Sequence, residues 1–119
     1  MCEITVFTPA FNRAKLLPRL YKSLKNQSSI NFEWVIVDDG SQDETQQVVQ
    51  KFIDEGVLPI NYVYQDNKGK HFAINRGVKE ANGELFWIVD SDDYLPPNAI
   101  AQKKKKYNSV SDNSNTKLY

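Results

Sequence analysis

The sequence predicts an α/β protein, with a mostly parallel β-sheet carrying helices on both faces. Three observations predict it. Short β-branched and aromatic runs alternate with segments of helical period, the pattern of strand–helix–strand units. The predicted strands run out into Pro, Asp or polar turn residues, and no internal repeat or long linker interrupts the alternation before residue 107. The chain has 119 residues, 40% hydrophobic and 25% charged, which is enough apolar material for one packed domain and too little for two.

Ile4-Thr5-Val6-Phe7 is the first strand, expected to end at Thr8 because Pro9 has no N–H for a sheet ladder. Leu16, Leu17, Leu20 and Leu24 recur at helical spacing with Pro18 in a first turn, predicting a helix over about 17–26. Phe32 to Val37 is the second strand, apolar at its centre and so buried on both faces, and Asp38-Asp39-Gly40-Ser41 stops it. Ser41 and Glu44 have capping-box spacing, and Val48, Val49, Phe52 and Ile53 continue as a helical stripe to about Asp54, with Gly56 closing it. A third strand is expected over Leu58 to Tyr64, then a polar loop over 65–70. Phe72, Ile74, Val78 and Ala81 form a helix ending in Asn82-Gly83, and Leu85 to Val89 is a fourth strand. Asp90-Ser91-Asp92-Asp93 ends that strand, and Pro96-Pro97 opens one more helical segment.

Composition narrows the function classes. No apolar run approaches the roughly 18–20 residues that span a bilayer, and the first residues lack the basic start and apolar stretch of a signal peptide, so the expected compartment is the cytoplasm. Cys2, the single cysteine, has no intramolecular disulfide partner. Fifteen basic and fifteen acidic side chains balance, but residues 1–100 hold 10 basic and 14 acidic groups. The basic excess lies in 101–119, around Lys103-Lys104-Lys105-Lys106. Without interleaved aromatics this cluster reads as a solvated helix face rather than a nucleic-acid site, and contact with an anionic membrane face is the alternative. Asn108 to Asn115 reads as loop or disorder.

In an open parallel sheet, ligands bind beyond the carboxyl ends of the strands. Asp38-Asp39 and Asp90, Asp92 and Asp93 all fall at that edge. Five carboxylates on one rim need an offset, and a hard cation, Mg²⁺ or Mn²⁺, supplies one while also binding a ligand's phosphates. Each Asp could instead cap a helix or start a turn. No glycine-rich phosphate loop is present, which disfavours helix-cradled ATP or NAD.

Four segments carry a resemblance: Thr5 to Asn12 (TVFTPAFN), Val37 to Thr45 (VDDGSQDET), Ala73 to Gly77 (AINRG) with Ala81-Asn82-Gly83-Glu84, and Val89 to Asp93 (VDSDD). In order and spacing the sequence resembles family 2 glycosyltransferases with the GT-A fold, over residues 3–100. The resemblance implies the Rossmann-like, three-layer nucleotide-binding half of that fold, with strand order 3-2-1-4. By position it implies that Thr8 lines the nucleotide pocket, with Pro9 and Ser91 among the nucleotide-sugar contacts. Asp39 would hydrogen-bond the base, usually uracil, Asp90 would face the ribose, and Asp92 would bind the metal bridging the diphosphate. Phe11 either flanks the base or packs in the core.

Other neighbours stay open. Asp38 is a pocket carboxylate or a structural acceptor at the strand end. Asp93 tunes the metal site or caps the next segment. His71, Lys68, Lys70 and Arg76 either meet the donor or are solvated helix residues. Trp34 and Trp87 read as core. Asp43, at the exposed start of the second helix, is expected to matter little to nucleotide binding.

The implied function is metal-dependent, inverting transfer of a sugar from a nucleotide diphosphate donor, a UDP-sugar first, to a glycan or lipid-linked acceptor. Residues 1–100 would form the nucleotide-sugar-binding region and 101–119 a basic, polar C-terminal segment. After Pro97 there is no further strand pattern and no acidic base motif, so the catalytic base is unassigned and the chain is expected to be a truncated gene product, a fragment or one part of an assembly, marginally stable or self-associating through an uncovered sheet edge. Two alternatives stand beside it: a catalytically silent nucleotide-sugar-binding module acting with a partner, and a sugar nucleotidyltransferase, which normally carries a glycine-rich N-terminal loop.

Overall fold

The structure, a computed structural model, describes residues 3–110. Four strands form one sheet in the order β3-β2-β1-β4, as expected. They are β1 (Ile4–Ala10), β2 (Phe32–Asp39), β3 (Ile60–Gln65) and β4 (Leu85–Ile88), and every pairing is parallel. The crossovers run through α1 (Leu17–Lys25), α2 (Thr45–Glu55) and α3 (Lys70–Glu80), and α4 (Ala99–Val110) follows β4. Gly56 ends α2 in the left-handed conformation, φ 68°, where a side chain would be strained.

Alternation along the strands divides the interior in two. Ile4, Val6 and Ala10 of β1 and Phe32, Trp34 and Ile36 of β2 face α1, α2 and α4, where Leu17, Leu20, Leu24, Val49, Phe52 and Ile100 complete the larger core. Trp34 is fully buried there, with Tyr21 and Phe52 stacked on one another at 3.9 Å beside it. Phe7, Val35, Val37, Val63 and Phe86 point to the other face and meet α3 through Ala73. Gly77 lets α3 approach closely, since a Cβ there would lie 2.3 Å from the Phe7 ring.

Three local expectations are corrected. β1 does not stop at Thr8 but continues through Pro9, which pairs with Val37. Phe7 accepts from Val89 N on the β4 side, so Pro9, two residues on, turns its missing N–H toward the same side, past the end of β4, and no ladder bond is lost. The Ser41–Glu44 capping box does not form: α2 begins only at Thr45 with Glu44 at its N-cap, Ser41 Oγ accepts from Asn12 N, and Asp43 Oδ1 accepts from Thr45 N at 2.9 Å. Finally, α4 takes in Asn108 to Val110, the start of the stretch read as loop, while 111–119 lie outside the described residues.

Candidate functional site

A cleft of about 370 Å³ opens beyond the carboxyl ends of β1, β2 and β4. Pro9 lines it from the end of β1, Phe11 and Arg13 from the β1–α1 connection, Asp39 from β2, Lys70 from the start of α3, and Asp90 and Asp92 from the turn after β4. Phe11 is 40% exposed, so its ring belongs to the cleft wall and not to the core.

Strand alternation gives the paired aspartates different work. Asp38 shares the face of Trp34 and Ile36, is fully buried, and accepts from Ser41 N at 2.9 Å and from the Tyr62 hydroxyl at 2.5 Å. It is a structural acceptor, and the Tyr62 hydroxyl is pushed well above its ordinary range by burial and by this carboxylate. Asp39 turns to the α3 face. Its Oδ1 accepts from Gln65 Nε2 at 3.0 Å and Lys68 N at 2.7 Å, and its Oδ2 from Gly69 N at 2.8 Å. Burial pushes its pKa upward, but these three donors outweigh it and hold the carboxyl below the usual carboxylate range. Asp39 is therefore anionic and braced at neutral pH, with lone-pair capacity left on the cleft side.

The turn after β4 gathers three exposed carboxylates, Asp90, Asp92 and Asp93, with oxygens within 4.8 Å of one another. Asp93 closes the turn: its Oδ2 accepts from Asp90 N at 3.0 Å, and its own N–H donates to Asp90 O at 3.0 Å. Asp90 and Asp92 are the pair on the cleft. The Lys70 ammonium lies 4.0 Å from Asp90. An all-oxygen donor set of this density, open to solvent, fits a hard divalent cation such as Mg²⁺ or Mn²⁺ better than a softer metal.

The other candidates fall into two groups. Thr8 is placed elsewhere than expected: its hydroxyl donates to Val89 O at 2.8 Å and accepts from Trp34 Nε1 at 2.9 Å, fully buried on the α1/α2 face. Ser91 is buried between the two cleft aspartates and is not among the lining residues. Lys70 reaches the cleft, whereas Lys68 contributes its backbone N–H to Asp39 and Arg76 pairs with Glu80 at 3.0 Å. His71 stays off the cleft, its ring edge-on to Phe72. Trp34 is core, and Trp87 is partly buried against the same cluster under the Lys103 ammonium. Arg13 has no sequence signal, because a lone arginine in a loop carries no diagnostic spacing and its placement depends on the fold.

The sheet, its two helical layers and an acidic cleft at the carboxyl edge define a Rossmann-like, three-layer α/β domain of the GT-A type. The chain belongs to glycosyl transferase family 2, whose sequence profile matches residues 5–108. It is 34% identical over 110 residues to a GalNAc(5)-diNAcBac-PP-undecaprenol beta-1,3-glucosyltransferase of Campylobacter jejuni, covering 91% of this chain and 35% of that protein. It is 35% identical to the poly(ribitol-phosphate) beta-N-acetylglucosaminyltransferase TarS of Staphylococcus aureus, covering 80% of this chain and 17% of TarS. The crystal structure of TarS 1–349 in complex with UDP-GlcNAc superposes with a TM-score of 0.80 at 31% identity, covering 90% of this chain and 31% of that one. The mannosyltransferase PcManGT of Pyrobaculum calidifontis, in complex with GDP-Man and Mn²⁺, gives 0.75 at 28% identity, covering 79% of this chain and 28% of that one. The chain thus spans about a third or less of the length of these relatives.

Proposed function

We propose that the cleft binds a nucleotide diphosphate sugar, a UDP-sugar first, and that residues 1–100 are the donor-binding region of an inverting, metal-dependent glycosyltransferase acting on a glycan or lipid-linked acceptor. The observation that carries this reading is the convergence of Asp39, Phe11, Asp90 and Asp92, from three strand ends, on one cleft. The solved relatives hold UDP-GlcNAc in one case and GDP-Man with Mn²⁺ in another, which supports a donor of this chemistry. Both curated relatives are named for β linkages, the outcome of inverting an α-linked nucleotide sugar, and one acts on an undecaprenol-linked glycan by its name.

In this reading Phe11 flanks the base, Asp39 accepts a hydrogen bond from its edge, and Asp90 faces the ribose. Asp92, with Asp90 beside it, would hold Mg²⁺ or Mn²⁺; bound there, the cation would neutralise charge on the departing diphosphate. Lys70 and Arg13 add positive charge on the same cleft, favouring the diphosphate by a salt-sensitive attraction. The group that deprotonates the acceptor is unassigned. We place the enzyme in the cytoplasm, at the membrane face where the acceptor is lipid-linked; among the described residues no helix is long and apolar enough to cross a membrane.

Calorimetric titration of the 119-residue chain with UDP, GDP and ADP, each with and without Mn²⁺, tests the donor reading. Uridine-selective binding strengthened by Mn²⁺ is expected, and binding that ignores the base would overturn it.

A further inference from the structure

The loops that follow β1 and β2 are stitched together behind the cleft, and of the residues that make the seam only Arg13 also lines it. Asn12 sits in the left-handed region at φ 55°, a conformation asparagine accepts more readily than most side chains. Its N–H donates to Ser41 Oγ at 2.7 Å, and its Oδ1 accepts from Gln42 N at 2.9 Å. The next two amides continue the seam, Arg13 N to Thr45 Oγ1 at 2.9 Å and Ala14 N to Asp43 Oδ2 at 3.2 Å. Three successive N–H groups of one loop therefore end on side chains of the other loop and of Thr45, the first residue of α2.

Capping α2 does not require this seam. Asp43 Oδ1 alone accepts from Thr45 N and, at 2.5 Å, from Thr45 Oγ1, which leaves Oδ2 for the cross-loop bond. The seam also reaches the cleft from both ends. Arg13 donates a guanidinium N–H to Phe11 O at 2.8 Å, and Asp39 lies two residues before Ser41. A binding site whose walls are already held loses less freedom when its ligand arrives.

We propose that Asn12 and Asp43 are positioning residues of the nucleotide cleft, fixing the separation of the Phe11 wall from the Asp39 wall before the nucleotide enters. The inference rests on the nucleotide reading above and adds to it two residues behind the cleft.

Three variants of the full 119-residue chain separate the seam from the fold. Asn12→Gly keeps the left-handed backbone and removes only the acceptor for Gln42 N. Asp43→Asn keeps a carbonyl oxygen for the two Thr45 donors and turns an amide NH₂ toward Ala14 N, breaking the cross-loop bond. Asn12→Asp keeps the acceptor and serves as the rescue. UDP affinity is measured by calorimetry in chelator, and Mn²⁺ binding separately by electron paramagnetic resonance. The first two variants are expected to weaken UDP roughly 3–10-fold, the worth of one hydrogen bond, with Mn²⁺ affinity unchanged and Asn12→Asp near wild type. In the free chain, hydrogen exchange should quicken at both residues 12–14 and residues 41–43 in Asn12→Gly. A wild-type chain that binds UDP alongside variants that bind it equally well would overturn the positioning role alone. A wild-type chain blind to UDP would overturn the nucleotide reading and this inference with it, and equal losses of UDP and Mn²⁺ would show a general structural role instead.

Discussion

Asp38 and Asp39 are adjacent in the chain and serve opposite faces of the sheet: Asp38 accepts from Tyr62 over the α1/α2 core, while Asp39 accepts from Gln65, Lys68 and Gly69 at the entrance to α3. One carboxylate closes the core and its neighbour braces the cleft. The difference follows from strand alternation alone, since Asp38 keeps the parity of Trp34 and Ile36 and Asp39 that of Val35 and Val37.

Replacing Asp39 by Ala should therefore do two things at once. It removes the cleft-facing carboxylate and releases Lys68 N and Gly69 N, each left seeking an acceptor, so UDP binding should weaken by about 1–3 kcal/mol and the loop before α3 should exchange faster. The pH dependence has a definite sign. Asp39 is more acidic folded than unfolded, so its contribution is complete above the unfolded value, about pH 4, and is lost as pH falls through the lower folded value. Stability and UDP affinity should be flat from pH 5 to 8 as far as Asp39 is concerned, and the Ala variant should have a shallower acid limb, the remainder coming from Asp43, Glu55 and Glu80, which are also held low. An unchanged acid limb in Asp39→Ala would assign it to another carboxylate.

Asp92→Asn should abolish the gain in UDP affinity that Mn²⁺ provides while leaving metal-free binding within about twofold, the scatter expected of an exposed substitution. Asp93→Ala, which removes the turn acceptor, should instead destabilise the turn, because Asp90 N depends on it. Titration calorimetry with and without chelator distinguishes the two. If wild type binds UDP equally in both conditions, the metal assignment is wrong.

Thr8→Val keeps the side-chain shape and strips the hydroxyl that joins Trp34 Nε1 to Val89 O. Two buried polar groups lose their partner, so unfolding free energy should fall by about 1–3 kcal/mol, read from urea denaturation. UDP affinity of the folded protein should hold. A stable Thr8→Val chain with tenfold weaker UDP binding would return Thr8 to the pocket.

The sheet is readable in the sequence because its signals are local and repeated: β-branched runs, helical stripes and acidic stops each lie within one element. Strand order follows from those signals together with the family resemblance. Where sequence and structure part, the causes are long-range. The Ser41–Glu44 spacing is a local cap signal, but Asn12, 29 residues away, takes the Ser41 hydroxyl. Asp43 has the look of an exposed helix-start residue and is instead bonded to Ala14. Thr8 carries a pocket motif at the end of a strand, yet its parity sends the hydroxyl to Trp34. Pro9 reads as a stop until β4 proves short enough to leave its missing N–H without consequence.

The last prediction concerns turnover by the 119-residue chain. The carboxylates lining its cleft among the described residues are Asp39, Asp90 and Asp92. Asp39 is braced by three donors and held below the usual carboxylate range, which makes it a poor proton acceptor, since a general base works best with a pKa near the operating pH. In the proposed reading Asp90 faces the ribose and Asp92 a cation, and a carboxylate sharing its charge with a metal is likewise a weak base. His71, the single imidazole of the chain, stands off the cleft. Acceptor positioning can be worth about 7–11 kcal/mol and general-base help roughly 10²–10⁴-fold, and neither has a residue among those lining the cleft. The isolated chain should therefore bind UDP-sugar and at most hydrolyse it slowly. Radiolabelled donors offered with a panel of glycan and lipid-linked acceptors check this, with sedimentation run alongside to read association through the β4 edge, which has no neighbouring strand among the described residues. Robust acceptor-dependent transfer by a monomer would show that a carboxylate now engaged in holding the fold, Asp38 or Asp93 first, is the base.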